Sequence, residues 1–256
     1  MLKVDGVEKT YKKGGMFSTK GQKILNNVSF ECMKGECLGI IGESGSGKST
    51  LGRLLLGIEK PDRGTILLEG KHIEDRKVRL GSISAVFQDY TSSINPFFTV
   101  EEAIMEPLKA QKKDRKKNQK VNQKVNQNKI DSLLNQVGLN SSYRTKYPHE
   151  LSGGEVQRVC IARAISTEPT CIILDEAISS LDASVQIQVL ELLKELKNIY
   201  NMSYIFITHD IQAAAYICDR VIIFRNGQIE EVVHIDELKD VQSEYAKKLL
   251  KFLITF

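Results

Sequence analysis

The sequence predicts an α/β fold: a largely parallel sheet covered by helices, with antiparallel strands at the N-terminus and an inserted α-helical subdomain. Three observations predict it. Apolar strand-like runs alternate with amphipathic helical runs, the pattern of strand–helix–strand units whose helices lie over a parallel sheet. A glycine-rich stretch, "GESGSGKST" at 42–50, stands between an apolar run and a helical one. From Tyr90 to about Arg163 the chain turns polar, helical and lysine-rich.

Taken in order, alternating and β-branched runs predict strands at 2–9, 28–33, 37–41 and 65–68, with turn signals in "KPDRG" (60–64) and "EGK" (69–71). A further strand is expected at 83–87. After the helical stretch, strands return at 171–174, 204–207, 221–224 and 229–233, and "RNGQ" (225–228) reads as the hairpin turn between the last two. In "SVQIQVLELLKELKNIY" (184–200), Val185, Val189, Leu192/Leu193, Leu196 and Ile199/Tyr200 are expected on one helical face. The chain reads as a single domain over 1–256. Within it, 1–89 and 164–235 form the core, 90–163 the helical subdomain and 236–256 a helical tail.

Composition narrows the function classes. The chain has 256 residues, 41% of them hydrophobic, which suffices for a full core. No run reaches the ~18 apolar residues that a membrane span needs, and the N-terminus lacks the pattern of a signal peptide. A cytosolic chain is expected, with any membrane role carried by partners. Five scattered cysteines without a CxxC pair read as buried thiols. The histidines lack ligand spacing, so no iron–sulfur or other cysteine/histidine metal centre is expected. The tract "KKDRKKNQKVNQKVNQNK" (112–129) carries much of the positive charge. Without aromatic residues or an arginine cluster it reads as a solvated surface, and no nucleic-acid partner is expected.

The stretch Gly42-x-x-x-x-Gly47-Lys48-Ser49 follows a strand and opens a helix, the context of a phosphate loop. Its glycines let backbone N–H groups turn inward onto phosphate oxygens. Lys48 supplies a cation for the β- and γ-phosphates, and Ser49 a hydroxyl for Mg²⁺. Gly42, Glu43, Ser44, Gly45, Ser46, Gly47, Lys48, Ser49 and Thr50 are the expected nucleotide-binding set, and the core is that of a P-loop NTPase.

"CIILDEA" ends an apolar strand with Asp175 and Glu176. Ligands gather at the carboxyl ends of parallel strands. Asp175 is placed to hold Mg²⁺, and Glu176 to orient or deprotonate the attacking water. Gln88 and His209 also follow strands, and are expected at Mg²⁺ or water and at the γ-phosphate. Tyr11, just past the first strand, is a candidate for stacking on a base. "LSGGE" (151–155) resembles a second phosphate turn, with a serine and two glycines before a helical run.

On these residues the sequence resembles the ATP-binding cassette ATPases of membrane transporters over nearly its whole length. Tyr11 matches the adenine-stacking aromatic, Gly42–Ser49 the first Walker motif and Gln88 the Q-loop. "LSGGE" matches the family signature and "IILDE" the second Walker motif. "SSLD" (179–182) matches the loop joining two active sites, and His209 the switch histidine. Two residues depart from the usual pattern: Glu155 stands where Gln is commonest, and Ala177 where Pro is frequent.

The resemblance implies ATP and Mg²⁺ as cofactors and two subunits packed head to tail. Ser152, Gly153 and Gly154 would then serve the ATP of the other subunit, and Asp182, in the loop joining the two sites, counts among the nucleotide-binding residues. "VFQDYTSSINPFFTVEEAIMEPL" (86–108) and the tail "SEYAKKLL" (243–250) resemble the peptide and nickel importer branch, the tail without that branch's Pro. The implied partners are transmembrane permease subunits, a sister ATPase in a heterodimer and, through the permease, an extracellular substrate-binding protein. The implied location is the cytoplasmic face of the cell membrane. The competing readings are a soluble cassette ATPase acting on ribosomes or DNA, and a P-loop kinase. A single short cassette opposes the first, and the second has no use for "LSGGE".

Overall fold

The computed structural model describes residues 1–12, 21–89, 93–114 and 123–251. Residues 90–92 and 115–122, which include Tyr90 and the middle of the lysine tract, lie outside the described residues. Strands β1 (Leu2–Lys12), β2 (Gly21–Cys32), β4 (Arg63–Leu68) and β5 (Lys71–His72) form an antiparallel sheet in the order β2-β1-β4-β5. The second sheet has the order β10-β9-β3-β8-β7-β6. Its strands are β3 (Cys37–Ile41), β6 (Ile83–Phe87), β7 (Cys171–Asp175), β8 (Ser203–Thr208), β9 (Arg220–Arg225) and β10 (Gln228–His234). All its pairings are parallel except β9 with β10.

The central parallel strands β3 ("CLGII") and β8 ("SYIFIT") are covered on both faces and buried at every position, whereas the edge strand β6 is mostly half-buried. Side-chain alternation then sorts each strand between two cores. Leu38, Ile40, Ile205, Ile207 and Phe224 pack with Leu51, Leu54 and Leu55 of α1 (Lys48–Leu55) and with the antiparallel sheet. Cys37, Ile41, Ile172, Leu174 and Phe206 pack with the helices on the other face. Each fully buried Leu, Ile or Phe side chain contributes ~1.5–3 kcal/mol. The layer order is therefore antiparallel sheet, α1, parallel sheet, helices.

The remaining helices are α2 (Arg76–Arg79), α3 (Val100–Asp114), α4 (Gln123–Gln136), α5 (Gly153–Ile165), α6 (Ala183–Tyr200), α7 (Ile211–Ile217) and α8 (Glu244–Lys251). Two single turns, Ser141–Thr145 and Pro148–Glu150, link α4 to α5. No described helix is long and apolar enough to cross a membrane. The five cysteines are buried thiols.

Three elements differ from expectation. Strand β2 begins at Gly21 rather than 28, because Gln22 and Gly21 pair with Tyr11 and Lys12 in a hairpin whose arms are exposed. Such arms carry backbone hydrogen bonds but little hydrophobic signal. "EGK" is a two-residue turn with Glu69 and Gly70 both left-handed, and Lys71 beyond it already belongs to β5. The one-turn helix α2 follows from Asp75, whose side chain accepts from the Lys77 N–H.

Candidate active site

Strand order brings the site together. β3 lies beside β8, and β8 beside β7, which pairs with β6. All four run parallel, so their carboxyl ends deliver the phosphate loop, Thr208–His209, Asp175–Glu176 and Gln88 to one edge. A cleft of about 380 Å³ opens there, lined by Ser44, Gly45, Gly47, Lys48, Ser49, Thr50, Gln88, Glu176 and His209, with Ile24 from β2.

Local geometry explains the loop. Gly47 is the residue before α1, with φ 108°, a left-handed conformation that disfavours any side chain. No side chain caps α1, and its first turn holds no acid. The unpaired amides and the positive end of the helix dipole are left for an anion. A Cβ on Gly42 would come within 2.1 Å of the Phe224 carbonyl oxygen, so only glycine fits there. The Lys48 Nζ donates to the carbonyls of Gly42 (2.7 Å) and Glu43 (2.9 Å).

The charges are set against burial. Burial pulls the Lys48 ammonium below its usual range, and the carboxylates of Glu176 and Asp175 oppose it. Asp175 is pushed up to about 6, first by burial and then by Glu176, with Lys48 opposing. Its Oδ1 is buried without a hydrogen-bond partner, as is Ser46 Oγ. Asp175 is not among the residues lining the cleft; its buried, orphaned oxygen near α1 suits a cation, and the Ser49 and Gln88 side chains that do line the cleft carry further oxygens.

Glu176 adopts a left-handed backbone (φ 52°), rare for a residue with a side chain and costing ~1–2 kcal/mol. Its N–H donates to the Ile207 carbonyl at 2.9 Å, which holds this turn. The carboxylate thereby meets His209, with Nδ1 2.9 Å from Oε1. His209 is exposed, free to face both Glu176 and an incoming phosphate.

Ser152, Gly153 and Gly154 are not among the residues lining this cleft. They open α5 elsewhere on the surface. Ser152 caps the helix, its hydroxyl donating to Glu155 Oε2 (2.9 Å) while Glu155 Oε2 accepts the Ser152 N–H (2.7 Å). Tyr143 donates to the other Glu155 oxygen, and that bond leads in holding Glu155 below the usual carboxylate range. Asp182 precedes α6 with no side-chain cap and lies exposed. Tyr11 stands apart from the cleft. Its hydroxyl donates to Glu59 and accepts from Arg53 Nη2 at 3.2 Å, beside α1.

Sequence reasoning missed Ile24, which a polar hairpin arm carries into the cleft. It also missed Gln157, fully buried, whose side chain donates to the Ala177 carbonyl. A polar residue beside Val156 on the inward side of the helix was the available signal.

Known proteins resemble this chain in sequence and in fold. A family model described as ABC transporter matches residues 25–179. The chain is 48% identical over 259 residues to the metal-staphylopine import system ATP-binding protein CntF of Staphylococcus aureus (strain NCTC 8325 / PS 47), with 100% of both chains covered. It is 40% identical over 236 residues to the oligopeptide transport ATP-binding protein AppF of Bacillus subtilis (strain 168), covering 89% of this chain and 70% of that one. A solved structure of the ATP-binding cassette MJ0796, a dimer in a post-hydrolysis state with ADP and Pi, superposes with a TM-score of 0.80. It is 29% identical, covering 92% of this chain and 99% of the other. With its phosphate loop, its Asp175–Glu176 pair and His209 gathered at one sheet edge, the chain belongs to the ABC transporter family as an ATP-hydrolysing, ATP-binding subunit.

Proposed function

We propose that this chain is one of two ATPase subunits that energise an importer for peptides, nickel or metal–chelator complexes. Among these cargoes the metal–chelator complex stands first, because the 48% identity to CntF runs from end to end of both chains. The observation that supports the two-subunit arrangement is that Ser152, Gly153 and Gly154 do not line the cleft around Lys48. A phosphate turn outside its own cleft serves the cleft of another subunit, a sister ATPase in a heterodimer. The 90–163 stretch docks on the permease subunits at the cytoplasmic face of the membrane. An extracellular substrate-binding protein delivers cargo to the permease.

In this reading the uncapped start of α1 and the amides of residues 42–50 bind the phosphates of ATP, and Lys48 exchanges its carbonyl partners for phosphate oxygens. Tyr11 stacks on the adenine. Ser49, Gln88 and Asp175 hold Mg²⁺, whose charge offsets that of the phosphates when bound. Glu176 orients and deprotonates the attacking water, and its carboxylate is aimed by His209, which also meets the γ-phosphate. Ser152 and Asp182 complete the site across the interface. Water excluded by the interface strengthens these contacts while the γ-phosphate is present, and its loss loosens the pair.

Vesicles holding the permease, the sister ATPase and this chain test the proposal. Wild type is expected to drive ATP-dependent uptake of metal supplied with its chelator. Ser152→Arg should abolish uptake, while nucleotide affinity at Lys48 stays within about twofold, a shift worth ~0.4 kcal/mol. Uptake at the wild-type rate with Ser152→Arg would defeat the shared site. Transport of peptide alone would move the cargo to the peptide class.

A further inference from the structure

Elements outside the recognised motifs also touch the phosphate loop. The Phe224 carbonyl at the end of β9 abuts Gly42. In the turn that follows, the Gly227 N–H donates to the Ser46 carbonyl at 2.8 Å. Gly227 is left-handed (φ 76°), and a Cβ there would lie 2.0 Å from the Ile24 carbonyl oxygen. The β9–β10 turn is thus wedged between β2 and the loop, and its main chain takes over a carbonyl of the loop.

The C-terminal helix adds a side chain to the same place. Tyr245 of α8 is only 8% exposed, in a helix anchored by buried Ala246 and Leu250. The guanidinium of Arg225 lies 4.5 Å from its ring centroid. Its hydroxyl is buried, makes no hydrogen bond of ordinary length to a described residue, and lies beside the backbone N–H of Glu43. That N–H shares a peptide unit with the Gly42 carbonyl, which accepts from Lys48 Nζ at 2.7 Å. One peptide plane therefore runs from the catalytic lysine to the tail tyrosine. Hydrogen bonds at the two ends of such a unit polarise each other.

We propose that Tyr245 is a positioning residue of the phosphate loop, its hydroxyl taking the Glu43 N–H as nucleotide binds and so fixing the Gly42–Glu43 peptide. The last helix thereby sets nucleotide affinity without touching nucleotide. Tyr245→Phe keeps the packing and the arginine contact and removes only the donor–acceptor group. A purely structural tyrosine with an unsatisfied buried hydroxyl would lose nothing by that change.

The test uses the full chain, a fluorescent N-methylanthraniloyl ATP and the corresponding ADP, with thermal unfolding measured without nucleotide. Tyr245→Phe should raise Kd for both about three- to tenfold, the worth of one buried hydrogen bond. Its Tm should equal or exceed that of the wild type. Arg225→Gln, which frees the ring, should weaken both nucleotides by a smaller factor, about two- to fivefold. Wild-type Kd in Tyr245→Phe overturns the proposal, and so does a rise in Kd that tracks a fall in Tm across the two variants. Wild-type binding in the same series separates this result from failure of the phosphate loop itself.

Discussion

A carboxyl pushed up to about 6, first by burial, makes Asp175 a stability liability. In the unfolded chain it titrates near 3.8. Below that value both states are protonated and the folded state loses nothing. Between the two values folding takes up a proton, and the stability this lends is lost as pH rises through about 6. Asp175→Asn should therefore raise the Tm of the nucleotide-free protein at pH 7.5, by about 1–3 kcal/mol of stability. The gain should shrink toward pH 4, although ATP hydrolysis is lost throughout. Unfolding scans across that range check it, and a gap independent of pH would refute the burial argument. Glu176 shows a second cost at this scale, a left-handed backbone held by the Ile207 carbonyl so that its carboxylate meets His209.

At the scale of elements, two helix starts in one chain are finished in opposite ways. Helix α1 begins at a left-handed glycine with neither cap nor acid, which leaves its amides for phosphate. Helix α5 begins at Ser152 with a full capping box closed by Glu155. The Glu at this position, unusual for the family the sequence resembles, binds the Ser152 main chain and is itself held by Tyr143. Helix α5 also steadies the hydrolytic turn through Gln157, which donates to Ala177 next to Glu176. Gln157→Ala leaves that carbonyl unpaired and opens a cavity, with an expected loss of about 2–3 kcal/mol. For a chain of this size that is a fall in Tm of roughly 4–12 °C, readable by calorimetry. An unchanged Tm would mean that the bond is not structural.

Motifs on strand ends were legible at this scale because the parallel strands are mostly apolar runs with sharp ends. Gln88, Asp175 and His209 each sit just where such a run stops. The start of β2, the strand β5 and the cleft residue Ile24 were not legible. Their positions depend on pairing with β1 and β4, and the exposed arms have no periodic signal of their own. Tyr11 shows the same limit. The sequence placed it just past the first strand, whereas β1 runs through it to Lys12, and the bonds of its hydroxyl to Glu59 and Arg53 join segments far apart in sequence.

For the whole molecule, the function proposed above makes ATP the ligand that joins two subunits, in keeping with a Ser152 turn that does not line the Lys48 cleft. Glu176→Gln should stop turnover by at least ~100-fold, the lower bound for losing a general base, while ATP still binds. The γ-phosphate then persists, and the ATP-bound pair should accumulate. Size-exclusion chromatography of this chain with its sister ATPase and ATP should show a stable dimer for the variant and a transient one for the wild type. Wild-type turnover in the variant would remove Glu176 from its role.

The sequence by itself determined the local patterns, a glycine-rich loop between strand and helix, an acidic pair at a strand end and a serine–glycine turn at a helix start, because the residues of each are neighbours along the chain. The tertiary structure decided which of these share a cleft. Strand order set Gln88, Glu176 and His209 around Lys48 and left Ser152 outside. It also placed Tyr245 and Gly227 against the phosphate loop. Contacts between segments that far apart in the chain follow from sheet order and packing, which no local pattern encodes.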